Sequence, residues 1–419
     1  MKPTLLFRGP IKTRSGYGSH SRDLLESLYH MDMFDIKIDS CGWGTTPLTA
    51  LQQDNEFHQW IEQNIVTTFN GLPDFYVQVT VPNEFRRYGK FNIGVTAGIE
   101  TTLAPKDWID GCNIMDLIIT TSTFSKEVLL STVYNEEHKE TKQIIKQHKI
   151  EKPVEVLFEG ADTSIYNDKI NDDFKLDIKE NFAYLFVGHW LSGELGQDRK
   201  DVGMLIKCFC EAFNDKKDQP ALVLKTSSAS FSVIERERIK KMILELTKDY
   251  SNPPSVYLLF GDLTDKEMND LYNHPKIKSM VSITKGEGFG RPLLEFTMTG
   301  KPVIASNWSG QKDFLTLEKS ILIGGKLTEV HDSAVNSFII KGSKWFTANY
   351  NEVIEILQLL KNDYDKFLTR SQSLKEDNKV NFSLEKMTEK FKSIISPFVV
   401  ITPKPQPTTL ILPKLNKVL

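Results

Sequence analysis

Two glutamates, one inside a glycine-rich turn and one just after it, are the residues of this chain best suited to chemistry. They lie in the stretch KGEGFGRPLLEFTMTGKPVIAS, residues 285–306, where Glu287 stands in the turn and Glu295 follows eight residues later. Pro292 suits the first turn of a helix and Gly300 suits its end, so Glu295 should lie about one turn inside a short helix. Both carboxylates then face the same side and can hold two parts of one polyhydroxylated ligand. The residues also fit an ordinary turn whose acidic group complements the helix dipole.

The elements that must position these glutamates are a strand before the turn and another after the helix. Residues 278–284, KSMVSIT, and residues 301–306, KPVIAS, are short, apolar and rich in β-branched side chains, as buried strands are. In open α/β sheets, ligands bind at the carboxyl ends of parallel strands, which is where this turn would lie. The free N–H groups at the start of the helix can face an anion or a sugar hydroxyl there.

Cationic side chains follow two other predicted strands. Arg199 comes after the strand that ends at Gly188, and Lys225 ends the next strand along the chain. Because neighbouring strand ends meet in a parallel sheet, Arg199 and Lys225 could hold a diphosphate, whereas Lys200 is interpreted as a solvated surface charge. The glycine loop RSGYGSHSR, residues 14–22, suits a phosphate as well, although a simple tight turn explains it equally.

The composition is that of an ordinary globular protein of 419 residues, with 40% hydrophobic and 26% charged residues and a net charge of −3. That charge gives no overall attraction to nucleic acid or to an anionic membrane. No stretch approaches the roughly 20 apolar residues of a membrane span. The four cysteines show no metal-binding spacing, and the opening MKPTLLFRGP lacks the apolar run of a signal peptide. We therefore expect a cytoplasmic protein without a bound metal.

Predicted strands and helices alternate twice along the chain, which indicates two doubly wound α/β domains. We place the first domain at residues 1–170 and the second at 171–385, with a polar linker over 167–181. Residues 386–419 should form a last helix and an extended, proline-containing tail that can pack back on the first domain. The charged segment 135–149 has helical propensity and is interpreted as a solvated insertion.

Three segments carry a resemblance to a known family. EGFGRPLLE, residues 287–295, resembles the Glu-x7-Glu motif of retaining glycosyltransferases of the family-4 type. VEVLFEGADTSIYN, residues 154–167, resembles the segment that closes the family's first domain, and residues 94–129 resemble a further stretch of some members. The resemblance covers most of residues 1–320, weakly over the first hundred. It implies the GT-B fold, an α/β architecture in which two Rossmann-like, doubly wound domains face each other across a cleft.

The resemblance also implies roles for individual residues. Glu287 would contact the donor sugar, Glu295 the ribose, and Arg199 and Lys225 the diphosphate. Many members carry a histidine near the end of the strand matching residues 94–98; this chain has none there, and Glu100, the nearest ionisable group, joins the catalytic candidates. The remaining donor-binding candidates are Gly16, Gly18, Gly188, Asp262, Leu263, Gly288, Phe289, Gly290, Arg291 and Leu294.

The activity implied is transfer of a hexose or pentose from a nucleotide diphosphate sugar, most simply a UDP- or GDP-sugar, to an acceptor hydroxyl with retention of configuration. Bond cleavage would pass through an oxocarbenium-like state, and the cations would stabilise the leaving diphosphate without a metal or another cofactor. The sequence leaves the acceptor open among a glycan, a lipid, a protein and a modified nucleobase. It also leaves open a nucleotide-sugar epimerase of GT-B fold and a nucleotide-sugar-binding protein without turnover.

Overall fold

The computed structural model describes residues 2–191, 193–227 and 232–399 and shows two α/β halves, each built on a six-stranded sheet. The strands of the first half are β1 (Thr4–Gly9), β2 (Asp35–Ser40), β3 (Phe75–Val79), β4 (Phe91–Thr96), β5 (Leu117–Thr120), β6 (Tyr134–Glu137), β7 (Ile144–His148) and β8 (Val154–Val156). Its helices are α1 (Gly16–Met31), α2 (Glu56–Asn64), α3 (Lys106–Asn113) and α4 (Thr123–Ser131). The first sheet is parallel throughout, in the order β2-β1-β3-β4-β5-β8.

The second half repeats this plan. Its strands are β9 (Ala183–Val187), β10 (Ala221–Lys225), β11 (Val256–Leu259), β12 (Ile277–Ser282), β13 (Val303–Ser306), β14 (Ile321–Ile323), β15 (Gly325–Glu329) and β16 (Lys344–Ala348). Its helices are α5 (Val202–Phe213), α6 (Val233–Thr247), α7 (Asp265–Asn273), α8 (Arg291–Thr297), α9 (Tyr350–Asn362), α10 (Tyr364–Asn381) and α11 (Leu384–Ile395). The sheet order is β11-β10-β9-β12-β13-β14, again all parallel, while β15 and β16 form a separate antiparallel hairpin.

Burial explains why these segments become strands. All five residues of β3 and all four of β5 are buried, as expected for parallel strands that are covered on both faces. Helix starts follow local capping chemistry. The Ser15 side chain accepts a hydrogen bond from the Gly18 N–H at the start of α1, and Thr264 forms a capping box with Glu267 at the start of α7.

The predicted helical character of residues 135–149 is wrong. Strands β6 and β7 pair there as an antiparallel hairpin. The backbone N–H of His138 donates to the Gln143 carbonyl at 2.8 Å, and Lys142 adopts a left-handed conformation in the turn. Adjacent β-branched side chains, Ile144 and Ile145, favour the strand, so the tight turn and these residues outweigh the helical propensity of the lysines and glutamates. At the start of α4, the Ser122 side chain caps the helix and accepts a hydrogen bond from the Ser125 N–H.

The last described helix returns to the first half. α11 packs against α1, where the Ser27 and Thr388 hydroxyls lie 2.8 Å apart. The Ala161 N–H donates to the Phe382 carbonyl at 2.9 Å, and the Leu384 N–H donates to the Ala161 carbonyl at 2.9 Å. The chain therefore crosses between the halves twice at one place. Most of the predicted tail, residues 400–419, lies outside the described residues.

One buried apolar cluster joins the two halves. It contains Phe7 and Leu24 from the first half, Leu293 and Phe296 of α8, and Phe391 of α11. The glycine turn and α8 are thus held by packing from both sides of the boundary between the halves. Within the described ranges, no helix combines the length and the apolar character needed to cross a bilayer.

Candidate functional site

The glycine turn after β12 lies where the two halves meet. A Cβ atom added to Gly286 would lie 2.0 Å from the Glu100 carbonyl oxygen, and one added to Gly288 would lie 2.0 Å from the Ala97 carbonyl oxygen. Both carbonyls belong to the loop after β4 in the first half. The close backbone approach that these two glycines allow is therefore made to the other half of the chain, and any larger side chain at either glycine would separate the halves.

The same turn occupies the topological switch point of the second sheet. Strand β9 connects onward to β10 on one side of it, and β12 connects to β13 on the other, so the loops after β9 and β12 diverge and leave a crevice between them. Crevices of this kind are where open α/β sheets bind ligands. The loop after β9 carries residues 188–201, and the loop after β12 carries residues 283–290. Of the predicted site residues, these two loops supply Gly188, Arg199, Glu287, Gly288, Phe289 and Gly290.

The turn is anchored from below by a buried ion pair. Lys285 and Asp201 are fully buried, and their charged groups lie 3.1 Å apart. The Tyr350 hydroxyl donates to the same Asp201 carboxylate at 2.8 Å. The Glu287 backbone N–H donates to the Ser309 hydroxyl at 2.9 Å. These contacts fix the backbone of the turn, so the direction of the Glu287 side chain is set before any ligand binds.

The Glu287 carboxylate lies at the centre of a compact charge network. Its two oxygens contact the Lys200 ammonium group and the Arg199 guanidinium group, the latter at 3.3 Å. Arg199 also donates to the Gly286 carbonyl at 2.8 Å and lies 3.6 Å from the Glu100 carboxylate. The structure therefore brings together the predicted Glu287, Arg199 and Glu100 from three separate loops. It also corrects the interpretation of Lys200, whose side chain is only 12% exposed and pairs with Glu287.

The charges in this network stabilise one another against burial. Burial alone would raise the pKa of Glu287, but Lys200 and Arg199 together bring it below its ordinary value, so the carboxylate is ionised at neutral pH. Burial lowers the pKa of Lys200, and the Glu287 charge only partly opposes this. The pKa of Arg199 is raised, because Glu100 and Glu287 outweigh its burial.

Lys225 lies at the end of β10, the strand next to β9, whose following loop carries Arg199. Its ammonium group donates to the Gly261 carbonyl at 2.6 Å. Burial lowers its pKa, while the nearby Asp262 carboxylate opposes the shift. Lys225 and Arg199 thus lie on the same edge of the sheet, as predicted, but each binds its own set of protein groups.

A histidine that the sequence reasoning missed lies among these cations. His189 follows β9, and its Nδ1 atom lies 3.3 Å from the Ser227 hydroxyl. Burial lowers the pKa of His189, and the positive charges of Lys200, Arg199 and Lys225 lower it further. His189 is therefore a neutral imidazole in the field of three cations, and those cations also interact with Glu287, Glu100 and Asp262. Its position directly after a buried strand was the signal available in the sequence.

The first-half glycine loop reaches the same region from the opposite side. Its Arg14 lies 2.7 Å from Asp262, which follows β11 in the second half. A Cβ atom on Gly16 would meet open space, whereas one on Gly18 would lie 2.2 Å from the Thr13 carbonyl oxygen. The Gly18 N–H is already used by the helix cap. Gly18 is therefore needed for packing, and Gly16 is the loop glycine with room for a ligand.

The second glutamate has different neighbours from the first. Arg291 donates to Glu295 at 2.7 Å and contacts Asp23 of α1, so it links α8 to the first half. The Tyr272 hydroxyl lies 3.5 Å from the other Glu295 oxygen. Burial, opposed by Arg291, raises the pKa of Glu295 to about 7. Glu287 and Glu295 have no ion-pair partner in common among the described residues, so the predicted joint grip on one ligand stays a prediction.

Glu159 is a further acidic group near both glutamates. Burial, opposed in part by Arg291, raises the pKa of Glu159 to about 8, and the charges of Glu295 and Glu287 act in the same direction as burial. It belongs to the segment 154–167 that carries part of the family resemblance, which was the one sequence signal for it. The raised pKa values of Glu159 and Glu295 have the same main cause, which is burial.

The remaining predicted donor-binding residues either have buried side chains or offer only their backbone to a ligand. Phe289 and Leu294 are buried, and the Phe289 ring packs 5.0 Å from that of Phe314. Gly290 has a positive φ of 100° at the start of α8. Leu263 packs against the apolar cluster that joins the halves, and the Gly188 N–H donates to the Lys225 carbonyl at 3.2 Å. Phe289 and Leu294 can thus meet a ligand only through their backbone. The part of the chain that the structure describes contains no group of three or more His, Cys, Asp or Glu side chains arranged for a metal ion.

Comparison with known proteins identifies the fold. No family model matches the sequence, and no curated protein matches it either. HepE from Anabaena, in a crystal structure with UDP and glucose, superposes with a TM-score of 0.61 at 14% identity over 94% of this chain and 100% of HepE. Sucrose-phosphate synthase from Thermosynechococcus elongatus gives 0.60 at 13% identity, covering 95% and 99% of the two chains.

A glycosyltransferase from Rickettsia africae gives a TM-score of 0.58 at 14% identity, covering 94% of this chain and 98% of its own. At such low identity these similarities establish the fold. The prediction of two Rossmann-like domains in the GT-B arrangement is thereby confirmed.

Proposed function

We propose that this protein is a retaining glycosyltransferase that uses a nucleotide diphosphate sugar. The observation that carries the proposal is the crevice at the β9/β12 switch point, where Arg199 and Lys200 contact the ionised Glu287 and Lys225 ends the neighbouring strand. The fold supports it, because crystal structures of HepE, which shares this architecture, contain UDP with glucose or UDP-glucose. UDP-sugars are therefore the first donors to test, followed by GDP-sugars.

The cations suit the charge that develops when the donor breaks. Cleavage of the bond between the anomeric carbon and the β-phosphate oxygen leaves its electron pair on the diphosphate, while positive charge spreads over the sugar ring. Arg199 offers a planar fork of donors, and Lys200 and Lys225 offer point charges. Loss of one preorganised donor to such a leaving group typically costs about 3–4 kcal/mol of transition-state stabilisation. Because side chains supply this charge, we propose that turnover needs no added metal.

Glu287 is placed to act on the sugar side of the same bond. Its lowered pKa keeps it ionised, so it can stabilise the positive charge of the ring and position a sugar hydroxyl. The acceptor oxygen would attack the face that the diphosphate leaves, and its proton would pass to the departing phosphate oxygen, which retains the configuration. Glu100 lies beside Arg199 and would hold that guanidinium group in place.

Glu295 would bind the ribose hydroxyls of the nucleotide. Its carboxylate accepts hydrogen bonds from Arg291 and from Tyr272, and a carboxylate can accept about four in total. With a pKa of about 7 it is only partly ionised at neutral pH, and hydroxyl donors would favour the ionised form.

The test is incubation of the purified protein with UDP-glucose, UDP-N-acetylglucosamine and GDP-mannose, with proton NMR of the anomeric region. We expect release of the nucleoside diphosphate and an initial α-anomer from an α-linked donor. An epimerase would instead convert one UDP-sugar into another without releasing UDP, and a binding protein would show affinity without turnover.

Arg199→Ala is the informative variant, and Arg370→Ala, which removes an exposed arginine from α10, is its matched control. Turnover should fall at least about a hundredfold in the first and stay unchanged in the second. An inverted product or equal turnover in both variants would contradict the proposed reaction.

A further inference from the structure

A second cavity, of about 920 Å³, opens on the first sheet, on the face opposite α1. Alternate residues of a strand point to opposite faces. Leu5 and Phe7 of β1 pack towards α1 in the buried core, whereas Leu6 and Arg8 line the cavity. We call this cavity the β1–β3 pocket and define it by Arg8, Asp39, Gln78, Glu84, Arg86 and Tyr88.

The pocket occupies the switch point of the first sheet. The sheet order changes direction between β1 and β3, and the pocket lies over these two strands and the end of β2. Ligand-binding crevices of open α/β sheets occur at such points. The β9/β12 crevice described above is the equivalent place in the second half.

Hydrogen bonds form the walls of the pocket in advance. The Gln78 side chain rises from the floor, donates to the Glu84 carbonyl at 2.9 Å and accepts from the Arg86 N–H at 2.8 Å. The Tyr88 hydroxyl donates across the cavity to the Phe69 carbonyl at 3.5 Å. One long hydrogen bond therefore joins the two rims, residues 66–70 and 84–88.

The polar groups of the pocket balance in charge. Arg8 pairs with Asp39, and the pocket further contains Glu84 and Arg86. Arg86 donates to the Phe85 carbonyl at 2.8 Å and has no carboxylate within ion-pair distance among the described residues, so its remaining donors are available to a ligand. Two guanidinium groups and two carboxylates give no net attraction for phosphate or nucleic acid. Hydroxyl groups, which both donate and accept, match such a mixed set of partners.

Aromatic rings add a second kind of contact. The rings of Tyr76 and Tyr88 lie 5.7 Å apart at the end of the pocket far from the strand ends. Tyr88 is 45% exposed, so its ring offers an apolar surface to a ligand. Aromatic faces beside convergent polar groups suit a ligand with both hydroxyls and C–H faces, which is the character of a sugar ring.

A short series of contacts joins the Cys41 end of the pocket to the glycine turn of the donor site. Cys41 lines the mouth, and Trp43, two residues later, stacks on Tyr17 at 4.1 Å. The Tyr17 hydroxyl accepts the Ala97 N–H at 3.1 Å, and the Ala97 carbonyl touches the Gly288 backbone beside Glu287. Tyr76, three residues before the end of β3, lies roughly 10 Å deeper, at about 3.3 Å per residue. The deep end is therefore too far from the donor to hold a reacting hydroxyl.

We propose that the β1–β3 pocket anchors a saccharide portion of the acceptor that is distant from the reacting hydroxyl, so that the acceptor is an oligosaccharide or carries one. The assignment of this saccharide to the acceptor rests on the proposed function, whereas saccharide binding by the pocket does not. Recognition would then depend on chain length, because a single sugar cannot reach both the reaction centre and the tyrosines.

The first test is binding of fluorescently labelled protein to a printed array of neutral and acidic oligosaccharides of two to six sugars. The double variant Arg86→Ala/Tyr88→Ala removes one donor and one ring, and both residues are exposed, so its fold should persist. Array binding should fall by about tenfold or more in this variant and not in the Arg370→Ala control. The proposal is overturned if the wild-type protein does not bind the array or binds only sulfated or phosphorylated glycans. It is also overturned if the double variant binds as strongly as the wild type.

The second test uses Cys41 as a reporter, because it is the one partly exposed cysteine and the other three are buried. Burial raises the pKa of Cys41, so alkylation with iodoacetamide is followed at mildly alkaline pH, with Cys41→Ser as the blank. The best oligosaccharide from the array should slow alkylation by about threefold or more at saturation, and its monosaccharide should not. Equal protection by both sugars, or by neither, contradicts anchoring at a distance.

Calorimetry with UDP on the same preparations separates the two proposals. Normal UDP affinity without saccharide binding overturns the pocket proposal alone. Saccharide binding without UDP affinity overturns the proposed donor site alone and leaves a saccharide-binding pocket.

Discussion

Replacing Glu287 by glutamine is the sharpest perturbation that the site offers, because it should move turnover and nucleotide affinity in opposite directions. The substitution removes one negative charge from between Lys200 and Arg199 and keeps the size of the side chain. Arg199 retains the Gly286 carbonyl at 2.8 Å and the Glu100 carboxylate at 3.6 Å. Lys200 has no other carboxylate within ion-pair distance in the described part of the chain, so it loses its partner.

The structure sets the expected magnitudes. Breaking a buried ion pair costs about 3–5 kcal/mol when the remaining charge has no partner. Glutamine still accepts hydrogen bonds and Arg199 keeps its other contacts, so we expect a loss of about 1–2 kcal/mol in unfolding free energy. The same two cations then meet a diphosphate without competition from the Glu287 carboxylate. A gain of about 1 kcal/mol in that contact corresponds to roughly fivefold tighter binding of UDP.

Turnover should fall by about two orders of magnitude, because a negative charge facing the oxocarbenium-like ring is lost. The assay measures UDP affinity by calorimetry and UDP release from UDP-glucose on one preparation. Glu318→Gln, at an exposed glutamate in the second half, is the matched control and should change neither quantity. Weaker UDP binding together with normal turnover would refute the reasoning, because it would place Glu287 on the nucleotide rather than on the sugar.

Three further predictions follow from the described contacts. Affinity for UDP-glucose should rise as the pH rises through about 7, where Glu295 ionises. In Glu295→Gln, the affinity measured by calorimetry should no longer depend on pH in this range. If the wild-type affinity is already independent of pH, Glu295 does not bind the ribose. Lys225→Ala should lower turnover about a hundredfold, and wild-type turnover should persist in EDTA; strict dependence on added Mn²⁺ would contradict a site neutralised by side chains alone. Gly288→Ala should lower the melting temperature by several degrees, because its Cβ would lie 2.0 Å from the Ala97 carbonyl oxygen. In the control Gly42→Ala the new Cβ meets open space, so the melting temperature should not change. Equal melting temperatures for the two variants would mean that the two halves are not in contact at Gly288.

Much of the local structure could be predicted because short-range patterns determine it. The strand, glycine turn and helix around Glu287 and the capping of α7 by Thr264 follow from residue types within a few positions of one another. The alternation of buried strands and helices indicated two parallel sheets for the same reason. Local patterns predicted the wrong structure for the hairpin over residues 134–148, because its lysines and glutamates favour a helix and only the turn indicates the strand pairing.

The site itself could be predicted only in part, because its contacts join residues far apart in the chain. Lys200 looked like a surface charge until the glycine turn, 87 positions later, was folded against it. The Arg14–Asp262 and Arg291–Asp23 pairs depend on how the two halves meet, which no local pattern specifies. The sequence identified which groups have suitable chemistry, and the tertiary structure decided which of them are neighbours.

The double crossing between the halves limits how they can move. The first connection passes through Ala161, the second through Phe382 and Leu384, and backbone hydrogen bonds of 2.9 Å tie the two together. Two connecting segments that are tied together at one point act as a single hinge, which permits rotation about one axis but resists sliding and twisting. Any opening about this hinge would therefore return the loop after β4 to the same register against the glycine turn on closing. Little conformational entropy is lost in finding that register, and more of the ligand's binding free energy is left for chemistry.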